Sequence, residues 1–477
     1  MKTSLYTENQ LKTIQNWQNL QFGMFIHFGL YSLAGGCWKG KPVKRGYCEQ
    51  ILSHGELPQA DYDALLHEFR IPDFNAQDIA RLAKAAGMRY IVLTSKHHDG
   101  FCLFNTKITD YNSMNAACKR DLVGELSDAC KKEGLAFGLY FSLIDWHCPA
   151  ALPISSHNSD RIPPKHHEYN LTQLTELLTN YGDICELWLD MGHPTPQQSQ
   201  EMYDLVHGLQ KNIMINGRIW NDMGDFATMP DNEIPELPFG EYELNVPWQT
   251  PASIYKETWG YKSWQERGSA DEKIKELSES LRRVVSGGGN YLLNIGPDTT
   301  GKVISFEKEV LEGIGRSLKE SPLPARNFSA SELGEARLFT LIKAEKDGSF
   351  ILNKCTNLFR YTGEEYYGLR PIVTGKRWYL ETPPENGERT RILGWKCVSP
   401  LKEDIKLCFE DNDTRIYFPL RKGKTRGIIH SEYRLPKPNA AHSISGTNCT
   451  VLELSTVGSP LERPELIPDS IVLTLER

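Results

Sequence analysis

The 477 residues are 40% hydrophobic and 24% charged, the balance of a globular chain too long for one ordinary core, so two domains are expected. A formal net charge of −7 and the lack of a long basic run exclude a nucleic-acid backbone or a membrane surface as partner. No apolar run approaches the roughly 20 residues that span a bilayer, and the 11 cysteines include no C-x-x-C pair that would nucleate a zinc or iron–sulfur site.

The first residues, MKTSLYTENQ, lack the apolar core of a signal peptide, and a periplasmic or secreted origin after signal removal stays compatible with them. From Gln21 to about Pro297, short apolar runs alternate with amphipathic ones. Strands are predicted at FGMFIHFG (22–29), RYIVLTS (89–95), LAFGLYFS (135–142), CELWLDM (185–191), NIMINGR (212–218) and NYLLNIG (290–296). Their near-continuous apolar character is that of parallel strands covered on both faces. Helices are predicted at 76–87, 120–134, 199–210 and 307–321, where apolar residues recur at helical spacing. This alternation implies an α/β fold, a (β/α) TIM-like barrel over residues 1–325, whose last strand or two the pattern does not place. Residues 326–477 read as short alternating runs broken by Gly, Asn, Asp and Pro, the signature of a C-terminal antiparallel β-sandwich.

Functional side chains of such barrels gather at the C-terminal ends of the strands. Those ends supply His27, the pair His97 and His98 followed by Asp99, Tyr140 with Asp145 and Trp146, Trp188 with Asp190, and then Arg218 and Asn294. Donors, acceptors and an indole suit a carbohydrate, with rings to stack on and groups to meet several hydroxyls. Adjacent histidines on a strand point to opposite faces, so only one of His97 and His98 should face the pocket unless the strand bends. A metal reading through His27, His97 and Asp190 has less support, because the first strand carries no H-x-H. Asp190, which ends the apolar run CELWL, is hard to justify as core.

The runs FGMFIHFGLYS (22–32), YIVLTSKHHDGFCLF (90–104), RDLVGEL (120–126), FGLYFSLIDWH (137–147), ELWLDMG (186–192), W-G-Y (259–261) and GGNYLLNIGP (288–297) together resemble the α-L-fucosidases of glycoside hydrolase family 29. The resemblance implies an exo-acting retaining enzyme that removes terminal fucose from a fucosylated oligosaccharide or glycoconjugate without metal or organic cofactor. Asp190 matches the family's nucleophile, and His27, Glu49, His97, His98, Tyr140, Trp188 and Arg218 match positions lining the fucose pocket. The subfamily acting on α-1,3 or α-1,4 branch fucose is the somewhat better likeness.

The resemblance also brings one departure. The family's acid/base Glu follows a Trp, and PWQTPASIYKETWGY (247–261) carries Gln249 there. An amide cannot protonate a leaving group or activate water. Three readings follow: an engineered acid/base knockout, a natural variant whose acid comes from Glu241, Glu243 or another nearby group, or a catalytically impaired fucose-binding protein on the same fold.

Overall fold

The computed structural model of the chain describes residues 8–154, 160–220, 223–229, 231–234 and 247–325, followed by a set of strands between 339 and 476 with a turn at 422–425. Glu241 and Glu243 lie outside the described residues. Eight parallel strands form the first part: β1 (Phe22–Ile26), β2 (Tyr90–Lys96), β3 (Ala136–Ser142), β4 (Glu186–Asp190), β5 (Met214–Ile215), β6 (Ala227–Thr228), β7 (Trp248–Ser253) and β8 (Asn290–Ile295). Their order is β5-β4-β3-β2-β1-β8-β7-β6, so β1 sits between β2 and β8 as it would in a barrel. The two outermost strands also meet, because Asn216 and Phe226 form a parallel bridge and the Asp225 N–H donates to the Ile215 carbonyl at 2.7 Å.

Local chemistry sets the helices that alternate with these strands. Asn75 and Asp121 cap Ala76–Ala85 and Leu122–Glu133 by accepting from the N–H groups of Asp78 and Gly124, and Thr195 with Gln198 forms a capping box ahead of Pro196–Leu209. The helices at Pro164–Asn180 and Ala270–Ser286 were not expected from the pattern. In the former, His166, His167, Asn170 and Gln173 are buried, which blurs the apolar stripe that marks a helix. Strand β7, WQTPAS, is likewise buried along its whole length yet half polar, so no apolar run announces it.

An N-terminal helix, Glu8–Gln18, closes the end of the sheet at which the strands begin. Its Trp17 packs on Phe226 with ring centroids 4.4 Å apart, its carbonyl accepts from Asn290 at the start of β8, and its indole N–H donates to Glu186 at the start of β4. Among the described residues the last helix of the parallel part is Ser305–Glu320, and every strand pairing after it is antiparallel. The strands there form a six-stranded sheet that includes Ile405–Asp411 and Thr447–Thr456, a three-stranded one around Arg391–Cys397, and smaller pairs.

Candidate active site

The strand ends opposite Trp17 converge on Asp190. Its carboxylate accepts from Tyr140 Oη at 2.7 Å and from Arg218 Nη1, and His98 Nε2 lies 3.8 Å away. Burial pushes this carboxyl up, but the Arg218 cation and the Tyr140 hydroxyl hold Asp190 below the usual carboxylate value. It is therefore an ionised group in a largely dry setting. Arg218 follows β5 in a short 3-10 turn, Gly217–Ile219, and spreads its other nitrogen, Nη2, to Asp231 at 2.7 Å. Its guanidinium also lies over the Trp188 ring, 4.4 Å from the centroid.

Around this ion pair stand the rings. Tyr140 stacks on Trp188 at 5.7 Å and on His97 at 5.4 Å, with interplanar angles of 19° and 10°. His27 lies 5.3 Å from the Trp259 ring and 5.5 Å from Tyr140. Both His97 and His98 join the site, their centroids 3.9 Å apart, contrary to the expectation that only one would. The reason is local: β2 ends at Lys96 after an irregularity in its register with β3 between Thr94 and Lys96, so the pleat no longer alternates the two side chains.

Hydrogen-bond partners fix the tautomers. Asn294 Nδ2 donates to the Trp259 carbonyl at 2.6 Å, so its Oδ1 must accept from His27 Nδ1 at 2.7 Å. Ser142 Oγ donates to the Ile144 carbonyl and accepts from His98 Nδ1 at 2.8 Å. Burial drives both rings neutral, His27 to about 3 and His98 to about 4, and holds His97 well below its ordinary value too. Two neutral imidazoles thus keep Nε2 as a bare acceptor, the group that a sugar hydroxyl donates to.

Other expected residues have partners of their own. Glu49 accepts from the N–H groups of Trp259 and Gly260 at 3.2 and 3.0 Å, pinning the W-G-Y segment, and burial raises it to about 7. Asp99 turns away to accept from Tyr62 Oη at 2.7 Å. Lys96, fully buried, lies 3.5 Å from Asp145. Trp146 packs on His98 at 5.5 Å. Two contributors escaped the strand-end reading, Trp259 and Asp231, because neither ends an apolar run. Asp231 belongs to a turn tied to β7, where the Asn232 N–H donates to the Pro251 carbonyl at 3.0 Å and Asn232 Oδ1 accepts from the Ser253 N–H at 2.7 Å.

Gln249 requires a correction. It does not stand at the strand ends where an acid/base group would be needed. It is the second residue of β7, fully buried, paired in register with Asn290 at the start of β8. Its Oε1 accepts from Trp188 Nε1 at 2.9 Å, and its Nε2 donates to Tyr90 Oη and to both Glu186 oxygens at 3.0 Å. The Trp188 indole stands between it and Arg218. Among the described residues no three His, Cys, Asp or Glu side chains gather as metal ligands do, and no helix is long and apolar enough to cross a membrane.

A parallel barrel-type sheet with an arginine-held carboxylate, neutral histidines and stacked aromatic rings at its strand ends is the build of a glycoside hydrolase. The family model for α-L-fucosidase matches residues 2–321, and the chain belongs to that family, glycoside hydrolase family 29. It is 29% identical over 432 residues to a putative α-L-fucosidase of Caenorhabditis elegans, spanning 85% of this chain and 86% of that one. The plasma α-L-fucosidase of Homo sapiens is 32% identical over 319 residues, 63% of this chain and 66% of that protein. Among solved structures, α-L-fucosidase AlfC from Lactobacillus casei in complex with α-L-fucose is 33% identical, covering 65% of this chain and 99% of that one with a TM-score of 0.56.

Proposed function

We propose that the chain is an exo-acting retaining α-L-fucosidase that hydrolyses terminal fucose from glycans through a fucosyl-Asp190 intermediate. The observation that carries this reading is the ionised carboxylate of Asp190, held by Arg218 and Tyr140 among acceptors for sugar hydroxyls. The Lactobacillus casei relative, with fucose in its structure, supports the sugar.

Asp231 is the carboxyl we assign as acid/base in place of Gln249. One guanidinium spans Asp190 and Asp231, so the two carboxylates lie within roughly 7 Å, an upper limit that admits the roughly 5 Å separation of a retaining pair. Acting as acid, Asp231 must take up a proton against the pull of the guanidinium it shares with Asp190. Asp231, its side chain 29% exposed, can exchange that proton with water, whereas Asp190 is committed as acceptor to Tyr140 and Arg218. In the first step an Asp190 oxygen bonds to the anomeric carbon, the bond to the leaving oxygen breaks, and the Asp231 proton passes to that oxygen. In the second, ionised Asp231 takes a proton from water, the water oxygen bonds to the anomeric carbon, and Asp190 leaves as carboxylate. Residues 326–477, as a β-sandwich, serve in this reading as a packing domain beside the barrel.

Azide rescue tests both assignments at once. Asp190→Ala should lose fucoside hydrolysis and, with azide, give the fucosyl azide of inverted configuration. Asp231→Ala should lose a fucosyl disaccharide far more than an aryl fucoside and, with azide, give the retained product. Unchanged hydrolysis by Asp190→Ala would sink the reading. An unimpaired Asp231→Ala would return the acid to Glu241 or Glu243.

A second reading, a fucose-binding protein without turnover, was motivated by Gln249 alone. With that residue beneath the pocket instead of in it, the motive is gone. The linkage is tested by offering α-1,3-, α-1,4- and α-1,6-linked fucosyl-N-acetylglucosamine side by side.

A further inference from the structure

We infer that Gln249 is a positioning residue, the lock that sets the Trp188 indole on which Arg218 rests; this role presupposes the fucosidase reading above. The sequence alone made Gln249 a puzzle, and the interior of the sheet explains it. Beneath the pocket lies a buried polar layer of Trp17, Tyr90, Glu186 and Gln249, joined by the hydrogen bonds already described. The strands leave room for it on purpose-sized ground: a Cβ at Gly23 would sit 2.3 Å from the Tyr90 ring, and one at Gly138 would sit 2.9 Å from Glu186 Cγ. Neither glycine can carry a side chain while Tyr90 and Glu186 keep their places.

The direction of each bond is forced. An indole N–H only donates, so the atom under Trp188 must accept; Glu186 accepts from Trp17, so what meets it from the other side must donate. A glutamine amide offers an acceptor at one end and donors at the other. An ionised glutamate would bring two carboxylates together, and leucine would leave Trp188 Nε1 and Glu186 without their partner. Above the layer, the same indole carries Arg218 at 4.4 Å and stacks on Tyr140 at 5.7 Å, the two residues that hold Asp190. The orientation of one ring therefore links the bottom of the barrel to the charge state of the nucleophile.

The test is kinetic, on the full chain with an aryl α-L-fucoside and a fucosyl disaccharide, across pH. Gln249→Leu is expected to lower kcat on the order of 10–100-fold with KM changed by less than about threefold, because His27 and His98, the acceptors for sugar hydroxyls, are held by Asn294 and Ser142 and not by Gln249. The acidic limb of kcat/KM should move to higher pH as Arg218 loosens its hold on Asp190. Gln249→Glu is the conservative rescue and guards against a leucine variant that fails to fold. While protonated it still accepts from Trp188 and donates to Glu186, so it should work at low pH and acquire a new loss of activity as pH rises. Wild-type kcat and an unmoved acidic limb in Gln249→Leu would overturn the positioning role. A 10²–10⁴-fold gain on the disaccharide in Gln249→Glu at every pH would overturn it too, by marking an acid/base position. Absence of turnover by the wild-type chain on either substrate would instead remove the fucosidase reading, and this role with it.

Discussion

Strand β4 carries two buried carboxylates four residues apart, and they have gone opposite ways. Glu186, at its start, meets only neutral donors, the Trp17 indole and the Gln249 amide, and burial raises it to about 7. Asp190, at its end, is also desolvated, yet sits below the ordinary value because a guanidinium touches it. Burial alone does not decide which carboxyl stays ionised; the charge of the partner does. The lower group belongs to the frame and the upper one to the chemistry, and each can be tested by changing what touches it.

Removing the partner that makes the difference should have the largest effect. In Arg218→Met the desolvation of Asp190 remains while its main counter-charge is gone, so its carboxyl should rise above the ordinary range. A raised pKa means protonation, and loss of the nucleophile, at higher pH. The acidic limb of kcat/KM should shift upward, and kcat at neutral pH should fall by about 10²–10³, as when a charged stabilising contact leaves a water-excluded site. If the limb stays put, something other than Arg218 keeps Asp190 ionised, and the contrast with Glu186 needs another cause.

Tyr140→Phe refines the same point with a smaller change. It deletes one hydrogen bond to Asp190 Oδ2 but leaves the ring that stacks on His97 and Trp188. A hydrogen bond to a charged group contributes about 1.5–3 kcal/mol, so a loss of roughly 10–100-fold in kcat is expected, with an acidic limb displaced less than in Arg218→Met. A displacement equal to that of the arginine variant would mean the hydroxyl, not the cation, dominates.

How far the sequence carried this contrast follows from the same chemistry. Asp190 was legible because an acid ending an apolar strand has no place in a core, and the six predicted strands all lie where strands form, although the one at 212–218 shrinks to Met214–Ile215 before the turn that aims Arg218. Glu186 was passed over because it looked like the start of the same run. Gln249 was misplaced because family spacing gives an order along the chain but not a depth along a strand. Four residues of register separate Gln249 from Ser253 at the strand end, and strand β7 shows no apolar period from which to count them. Asp231 sits in a turn whose position depends on bonds to β7 that no local pattern encodes.

The smallest expected effect concerns stability. Glu186 is fully enclosed and its folded value lies near 7 against an ordinary 4.5. Below 4.5 it is protonated in both states and its contribution is fully present. As pH rises from 4.5 through 7 the unfolded chain ionises first, and the folded state loses up to about 3 kcal/mol from this group. Glu49 and Asp99, raised to about 7, and Glu307, raised to about 8, act in the same direction. The Tm of the wild-type chain should therefore decline between pH 5 and pH 8. Glu186→Gln removes one share of that decline. At pH 5 the variant should be the less stable protein, since its NH2 cannot accept from Trp17 or Gln249, whereas the hydroxyl oxygen of the protonated carboxyl can. By pH 8 the gap should close or reverse, a swing of several degrees on the usual scale for a chain this size. A Tm difference constant across that range would mean Glu186 titrates like an exposed glutamate, and the two ends of β4 would no longer be opposites.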